Sequence, residues 1–199
     1  MRVSCDSDGV KEASRILAEG GVVVFPTDTV YGIGCNPFDR NAVKRIYKIK
    51  NREPSKPLPV LTFSKEMAKK IVEFDKDSER IADTMWPGSL TIILKTKEKK
   101  LKESLNVEEK VAVRVPNHRC TLELLQYCKY VVGTSANVSG AQSTADPEEC
   151  ERSMDGYDLL LDGGRIASRG ESTIIEMAEG ELKIHREGKI KKEDILGLL

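Results

Sequence analysis

The chain has 199 residues, and 32 Lys and Arg balance 32 Asp and Glu, so its formal net charge is zero. That balance excludes a general electrostatic affinity for nucleic acid or an anionic membrane, so any anion site must be a local concentration of charge. A hydrophobic fraction of 39% beside 32% charged residues suits one globular domain, 1–199, with a sizeable core.

Residues 8–19 carry Val10, Ala13, Ile16 and Leu17 at helical spacing, and Gly20-Gly21 closes that helix. Val22, Val23, Val24 and Phe25 form a short β-branched run that predicts a buried strand, stopped by Pro26. Thr27, Asp28, Thr29, Gly32 and Gly34 follow as a loop of hydroxyls and glycines at the strand's carboxyl end, where open α/β sheets bind ligands. Val43, Ile46, Tyr47 and Lys50 then recur at helical spacing, and the segment leaves through Lys48, Lys50 and Arg52 ahead of Pro54. Strand, hydroxyl-glycine loop, helix and cationic exit suit an anion. The helix dipole also favours cations at a C-terminus by about 0.3–1 kcal/mol with nothing bound, so the cluster alone fits a solvated helix end equally well.

Residues 51–57 read as an extended loop carrying Lys56, and 58–63 as a strand. Ser64 caps a helix predicted to turn Met67, Ala68, Ile71 and Val72 inward. A helix from Asp77 through Ile81 and Met85 ends at Pro87-Gly88, and 89–95 form a strand. The charge run at 95–104 reads as a solvated connection. Residues 111–115 are a strand with Arg114 between valines, and 121–128 a short helix. Residues 131–140 repeat the opening design, an apolar strand running into Gly, Thr, Ser and Asn, so the two strand ends are expected to face one site. Asp146-Pro147 opens another helix, 159–162 is a strand, and 165–171 reads as a mobile loop. Residues 172–177 and 181–185 pair as a hairpin around Glu179-Gly180, and the tail from Lys189 is a helix with Ile190 and Ile195 inward. The pattern predicts an α/β fold: a twisted, largely mixed sheet flanked by helices, with a concave ligand cleft.

The cysteines (Cys5, Cys35, Cys120, Cys128, Cys150) are odd in number and form no C-x-x-C pair, which predicts neither a disulfide framework nor a metal site. Phosphate-loop, dinucleotide-fingerprint and zinc-protease motifs are absent, and with only His118 and His185 a Ser-His-Asp triad is hard to assemble. Both histidines read as structural or solvent-facing. No long apolar run or signal-like segment is present, which predicts a cytoplasmic protein with no membrane contact.

Lys50-Asn51-Arg52 and Ser135-Ala136-Asn137, a K-x-R and a distant S-x-N, sit among F-P-T-D-T-V-Y-G-I-G, W-P-G-S-L-T-I-I-L, V-A-V-R-V-P, T-S-A-N-V-S-G and G-E-S-T-I-I. In this order, over nearly its whole length, the chain resembles the YrdC-type threonylcarbamoyl-AMP synthases of tRNA modification, in their short, single-domain branch. The resemblance implies a YrdC-like fold and a reaction in which L-threonine, bicarbonate or carbon dioxide, and ATP give threonylcarbamoyl-AMP and pyrophosphate. It also implies Mg2+ travelling with ATP, and tRNA and downstream threonylcarbamoyl-transferase proteins as partners.

Carried over by residue, the resemblance puts Lys50 and Arg52 on the triphosphate as the catalytic pair. Thr29 and Ser172 would meet threonine, and Arg114 its carboxylate through a planar fork. Thr91, Ser143 and Arg186 would meet the nucleotide, and Ser135 and Asn137 both substrates. Read without it, Arg114 is equally a strand arginine paired with a neighbouring carboxylate, and S-A-N a plain turn. Two departures stand out. Glu53 separates Arg52 from Pro54, and Leu61 occupies a position where many relatives place a threonine-contacting histidine, which leaves amino-acid specificity open. Two other functions compete. One is a non-catalytic tRNA- or double-stranded RNA-binding module using Lys48, Lys50, Arg52 and Lys56, disfavoured by 5% aromatic content. The other is a carbamoyl-transfer domain of the hydrogenase-maturation kind, whose C-x-x-C pairs are missing.

Overall fold

A computed structural model describes residues 1–167, 170–178 and 180–199. In chain order the elements are β1 (Arg2–Ser4), α1 (Ser7–Ala18), β2 (Val23–Phe25), β3 (Gly32–Gly34), α2 (Arg40–Ile49), β4 (Val60–Thr62), α3 (Lys65–Ala68), β5 (Val72–Glu73), α4 (Lys76–Met85) and β6 (Leu90–Thr96). They continue with α5 (Lys99–Leu105), β7 (Lys110–Arg114), α6 (Arg119–Cys128), β8 (Tyr130–Val132), β9 (Thr134–Ser135), α7 (Pro147–Ser153), β10 (Leu159–Asp162), β11 (Thr173–Ala178), β12 (Glu181–Arg186) and α8 (Lys192–Leu196).

The strands form two mixed sheets. The first runs β1-β10-β2-β3-β9, with β1, β10 and β2 parallel and β3 and β9 antiparallel to their neighbours. The second runs β12-β11-β6-β7-β4-β8, with β5 paired on β6. β2 explains its own sequence: Val22 and Val24 enter one apolar cluster while Val23 and Phe25 enter another. A strand covered on both faces has no reason to alternate, hence the unbroken apolar run. Leu160 and its neighbours Leu159 and Leu161 divide between the same two clusters.

The sheets meet where β8 passes into β9 through Gly133. A Cβ there would lie 2.3 Å from Cδ1 of Leu61 on β4, so only glycine lets the chain cross. Gly34 on β3 is constrained likewise, since its Cβ would fall 1.9 Å from the Val132 carbonyl oxygen. The two loops expected to share a site are therefore pressed together by the crossing.

Five expectations are corrected. Gly32 and Gly34, read as part of a loop, lie in β3, which pairs antiparallel with β2. The Ser64-capped helix ends at Ala68, because Val72 is drawn into pairing with Thr96 of β6; Ile71 and Val72 are buried, but off the helix. The charge run contains α5, whose Leu101 and Leu105 are buried one turn apart. Cys5 and Cys120 form a disulfide, with Cα atoms 5.9 Å apart across 115 residues, where α1 packs on α6. Ile190 precedes α8 and is half-buried, while Ile195 is buried as expected. The expected mobile loop at 165–171 includes Ser168 and Arg169, and the hairpin turn includes Glu179; these three lie outside the described residues.

Candidate functional site

A cavity of about 660 Å³ opens between the sheets. Thr27, Thr29 and Tyr31 of the β2–β3 loop line it, with Lys50 and Arg52 after α2, Thr91 of β6, and Arg114 of β7. Ser135, Asn137 and Ser139 follow β9, and Ser172, His185 and Arg186 complete the opposite wall. Sequence-separated stretches thus converge as expected.

Lys50 caps the C-terminus of α2 and is 1% exposed. Its Nζ donates to the Asn137 carbonyl at 2.6 Å and to the Ser135 carbonyl, and its own carbonyl accepts from Ser139 N at 2.7 Å. K-x-R and S-x-N are therefore one hydrogen-bonded unit. Burial pushes the Lys50 ammonium down to about 8, Arg52 adds to the effect, and Glu171 opposes it. Asn51 adopts φ 46°, a left-handed conformation that asparagine tolerates, and turns the chain out of α2. Arg52 then donates to the carbonyls of Lys56 at 3.0 Å and Pro57 at 3.1 Å.

Arg114 is 6% exposed, and its fork is already occupied. It donates to Asp28 Oδ1 at 2.6 Å, Thr29 Oγ1 at 3.2 Å and the Gly88 carbonyl at 2.9 Å. The structure thus supplies an internal carboxylate where the resemblance implied a substrate's. Of the five guanidinium N–H groups, two have no partner among the described residues. Asp28 escaped the site list drawn from sequence, yet it also accepts from Ser89 Oγ at 2.8 Å and Asn117 N at 3.0 Å. The signal was a carboxylate between the hydroxyls of T-D-T. Thr27 folds this loop: its Oγ1 donates to the Val30 carbonyl at 2.6 Å and accepts from Thr29 N at 3.2 Å.

On the far wall Thr91 Oγ1 and Ser172 Oγ lie 3.0 Å apart, because β11 pairs in parallel with β6. Arg186 donates to Ser172 Oγ at 3.1 Å and pairs with Glu171. Ser143 stands apart: it lines a neighbouring cavity of about 620 Å³ that shares Val30 with the first. His185, read as structural or solvent-facing, is exposed and lines the main cavity.

Two buried atoms on the floor, Asn137 Oδ1 and Ser139 Oγ, have no hydrogen-bond partner among the described residues. An unmade buried bond costs about 1–3 kcal/mol, so a ligand group or water that pairs these atoms is favoured there. Ser139 was missed, although it lies in the T-S-A-N-V-S-G stretch that carries the resemblance. Among the described lining residues Lys50, Arg52, Lys56, Arg114 and Arg186 face a single acid, Glu171. Such a cavity concentrates positive potential and suits a polyanion.

A family model for the Sua5, YciO and YrdC proteins, described as "Telomere recombination", matches residues 15–188. The chain belongs to the Sua5/YciO/YrdC family. It is 33% identical to a threonylcarbamoyl-AMP synthase of Pyrococcus abyssi over 189 residues, covering 94% of this chain and 56% of that protein. With the threonylcarbamoyl-AMP synthase of Bacillus subtilis it is 32% identical over 197 residues, covering 97% and 57%. The crystal structure of P. abyssi Sua5 complexed with L-threonine superposes with a TM-score of 0.92 at 31% identity, over 100% of this chain and 60% of that one. The chain thus spans rather more than half the length of these Sua5/YciO/YrdC relatives. Among the described residues no helix is long and apolar enough to cross a membrane.

Proposed function

We propose that the chain is a threonylcarbamoyl-AMP synthase, a nucleotidyltransferase that joins L-threonine, bicarbonate or carbon dioxide, and ATP. Its products are threonylcarbamoyl-AMP and pyrophosphate, for use in the cytoplasm by transferase proteins acting on tRNA. The observation that carries this reading is the buried Lys50 ammonium hydrogen-bonded to the Ser135 and Asn137 carbonyls at the floor of a cationic cavity. The relatives' names support it, and so does the threonine held by P. abyssi Sua5.

The chemistry requires a carbamate to attack the α-phosphorus of ATP while pyrophosphate leaves. Two anions must be aligned and the growing negative charge neutralised, with no protein nucleophile. Lys50 and Arg52 are assigned to the phosphates, Arg186 to their flank, and Thr91, Ser135 and Asn137 to nucleotide hydrogen bonds. Arg114 keeps two N–H groups for the amino acid's carboxylate, and Thr29 and Ser172 flank that position. Magnesium, which nucleotide sites hold mainly through substrate phosphates with one or two carboxylates, is assigned to the ATP complex as part of the substrate. The cavity's Glu171 is paired with Arg186.

The test is pyrophosphate release from Mg-ATP and bicarbonate, with and without L-threonine, in the parent and in Lys50→Ala and Arg52→Ala. Threonine-dependent release that falls at least 100-fold in either variant is expected from the loss of a preorganised charge. Release indifferent to threonine, or undiminished in both variants, would sink the proposal.

A further inference from the structure

The proposed reaction leaves a proton unassigned, and an irregularity in β12 stands beside that need. Ile174 pairs with Arg186 and Ile175 with Ile184, so His185 is an extra residue, the unpaired member of a β-bulge. Bulges re-aim side chains that strict alternation would send to the other face. Here the consecutive His185 and Arg186 both line the cavity.

Nε2 of His185 lies 2.7 Å from Oε2 of Glu176 on β11. Glu176 is buried, and its Oε1 accepts from Nζ of Lys110 on β7 at 2.5 Å. Lys110 first, and His185 after it, hold the Glu176 carboxyl below its ordinary range, so it stands ionised beside the ring. A carboxylate on Nε2 fixes the neutral tautomer with its proton there and its lone pair on Nδ1. That is the base-and-orienter pairing of general-base sites, with Lys110 moderating the carboxylate. The other titratable groups on the described wall are engaged. Glu171 is paired with Arg186, Lys56 with Glu53 at 3.3 Å, Tyr31 donates to the Gly164 carbonyl with burial holding its proton, and Lys50 donates to two carbonyls.

We infer that His185, oriented by Glu176, is the base that deprotonates the α-ammonium of the amino acid so that the carbamate can form; this rests on the synthase reaction proposed above. Nδ1 takes a proton from the ammonium, and the freed lone pair attacks the carbon of carbon dioxide. An N–C bond forms, one C=O electron pair moves onto oxygen, and the N-carboxylated amine loses its second proton to water. Where bicarbonate is the source, its dehydration to carbon dioxide and water consumes one proton, so each carbamate releases one. The imidazolium returns its proton to solvent.

The test compares the parent with His185→Gln and Glu176→Gln in pyrophosphate release at pH 7 and pH 9.5, with ATP, L-threonine and bicarbonate saturating. Loss of a general base slows a reaction by about 10²–10⁴-fold, the range expected for His185→Gln at pH 7. The deficit relative to the parent should shrink about tenfold or more at pH 9.5, where the amine sheds its proton unaided, and added imidazole should restore part of the rate. ATP affinity measured by calorimetry should stay within a few-fold of the parent. Equal rates at pH 7, or a deficit identical at both pH values and untouched by imidazole, would overturn the assignment. Should His185→Gln fail to fold, Glu176→Gln carries the same comparison, with a smaller pH-dependent deficit expected and a pH-independent one refuting. A parent silent with threonine and bicarbonate would instead overturn the synthase reading itself.

Discussion

Binding of ATP should draw a proton onto Lys50, and the size of that uptake follows from its burial. In the ligand-free protein the Lys50 ammonium is pushed from 10.5 to about 8, so at pH 8 about half the molecules carry it neutral. A triphosphate beside Nζ favours the charged form and returns the group toward its ordinary range. The expected uptake is therefore about 0.5 proton per ATP at pH 8, about 0.9 at pH 9 and under 0.1 at pH 6.5. The sign follows from the direction of the shift. Below pH 8 the ammonium is charged in both folded and unfolded chains, and its burial together with the repulsion of Arg52 costs the fold about 3 kcal/mol. Between pH 8 and 10.5 the unfolded chain binds more proton, so this cost fades as pH rises. Titration calorimetry in two buffers of different ionisation enthalpy reads the uptake directly, with threonine omitted to prevent turnover. Lys50→Arg supplies the control, because a guanidinium keeps its charge throughout and should show no pH-dependent uptake. Uptake equal in parent and Lys50→Arg, or absent at pH 9, would refute the assignment of Lys50 to the phosphates.

Other outcomes follow from single contacts. Asp28→Asn should cost about 3–5 kcal/mol in denaturant unfolding, because it leaves the buried Arg114 without its carboxylate; a loss under about 1 kcal/mol would show that solvent screens the pair. Gly133→Ala should destabilise by about 1–3 kcal/mol through collision with Leu61, and Leu61→Ala in the same chain should recover part of it; additive losses would argue against the contact. Ser139→Ala should leave ligand-free stability within about 0.5 kcal/mol, since its hydroxyl has no partner, while weakening ATP or threonine binding severalfold; unchanged affinity for both would remove Ser139 from the site.

What was legible in sequence was whatever one stretch states by itself. The apolar run of β2, the hydroxyls after it and the cationic end of α2 each lie within a dozen residues and formed as read, whereas Gly32 and Gly34, read as loop, form β3 because they pair with β2. The pairing of K-x-R with S-x-N was legible as resemblance, but its physical form, a lysine held by the carbonyls of residues 135 and 137, depends on sheets crossing at Gly34 and Gly133. Arg114 shows the limit: periodicity said only that it avoids the faces of its flanking valines, and its partner Asp28 lies 86 residues away. α5 was hidden because lysines outnumber its two buried leucines. Cys5 and Cys120 carry no spacing signal, and the bulge at His185 has no signature in composition or period.

The place of β10 has a consequence for how this chain is made. It lies between β1 and β2, parallel to both, although it is synthesised more than 120 residues after them. Until then the opening strands cannot complete their sheet, and each offers an unpaired edge to any other chain nearby. The first sheet closes by threading a late strand between two early ones. Pairing over such separations delays folding, so a nascent chain on the ribosome must be kept from aggregating until nearly all of it has emerged. A truncation before residue 159 should therefore yield insoluble protein rather than a smaller folded one.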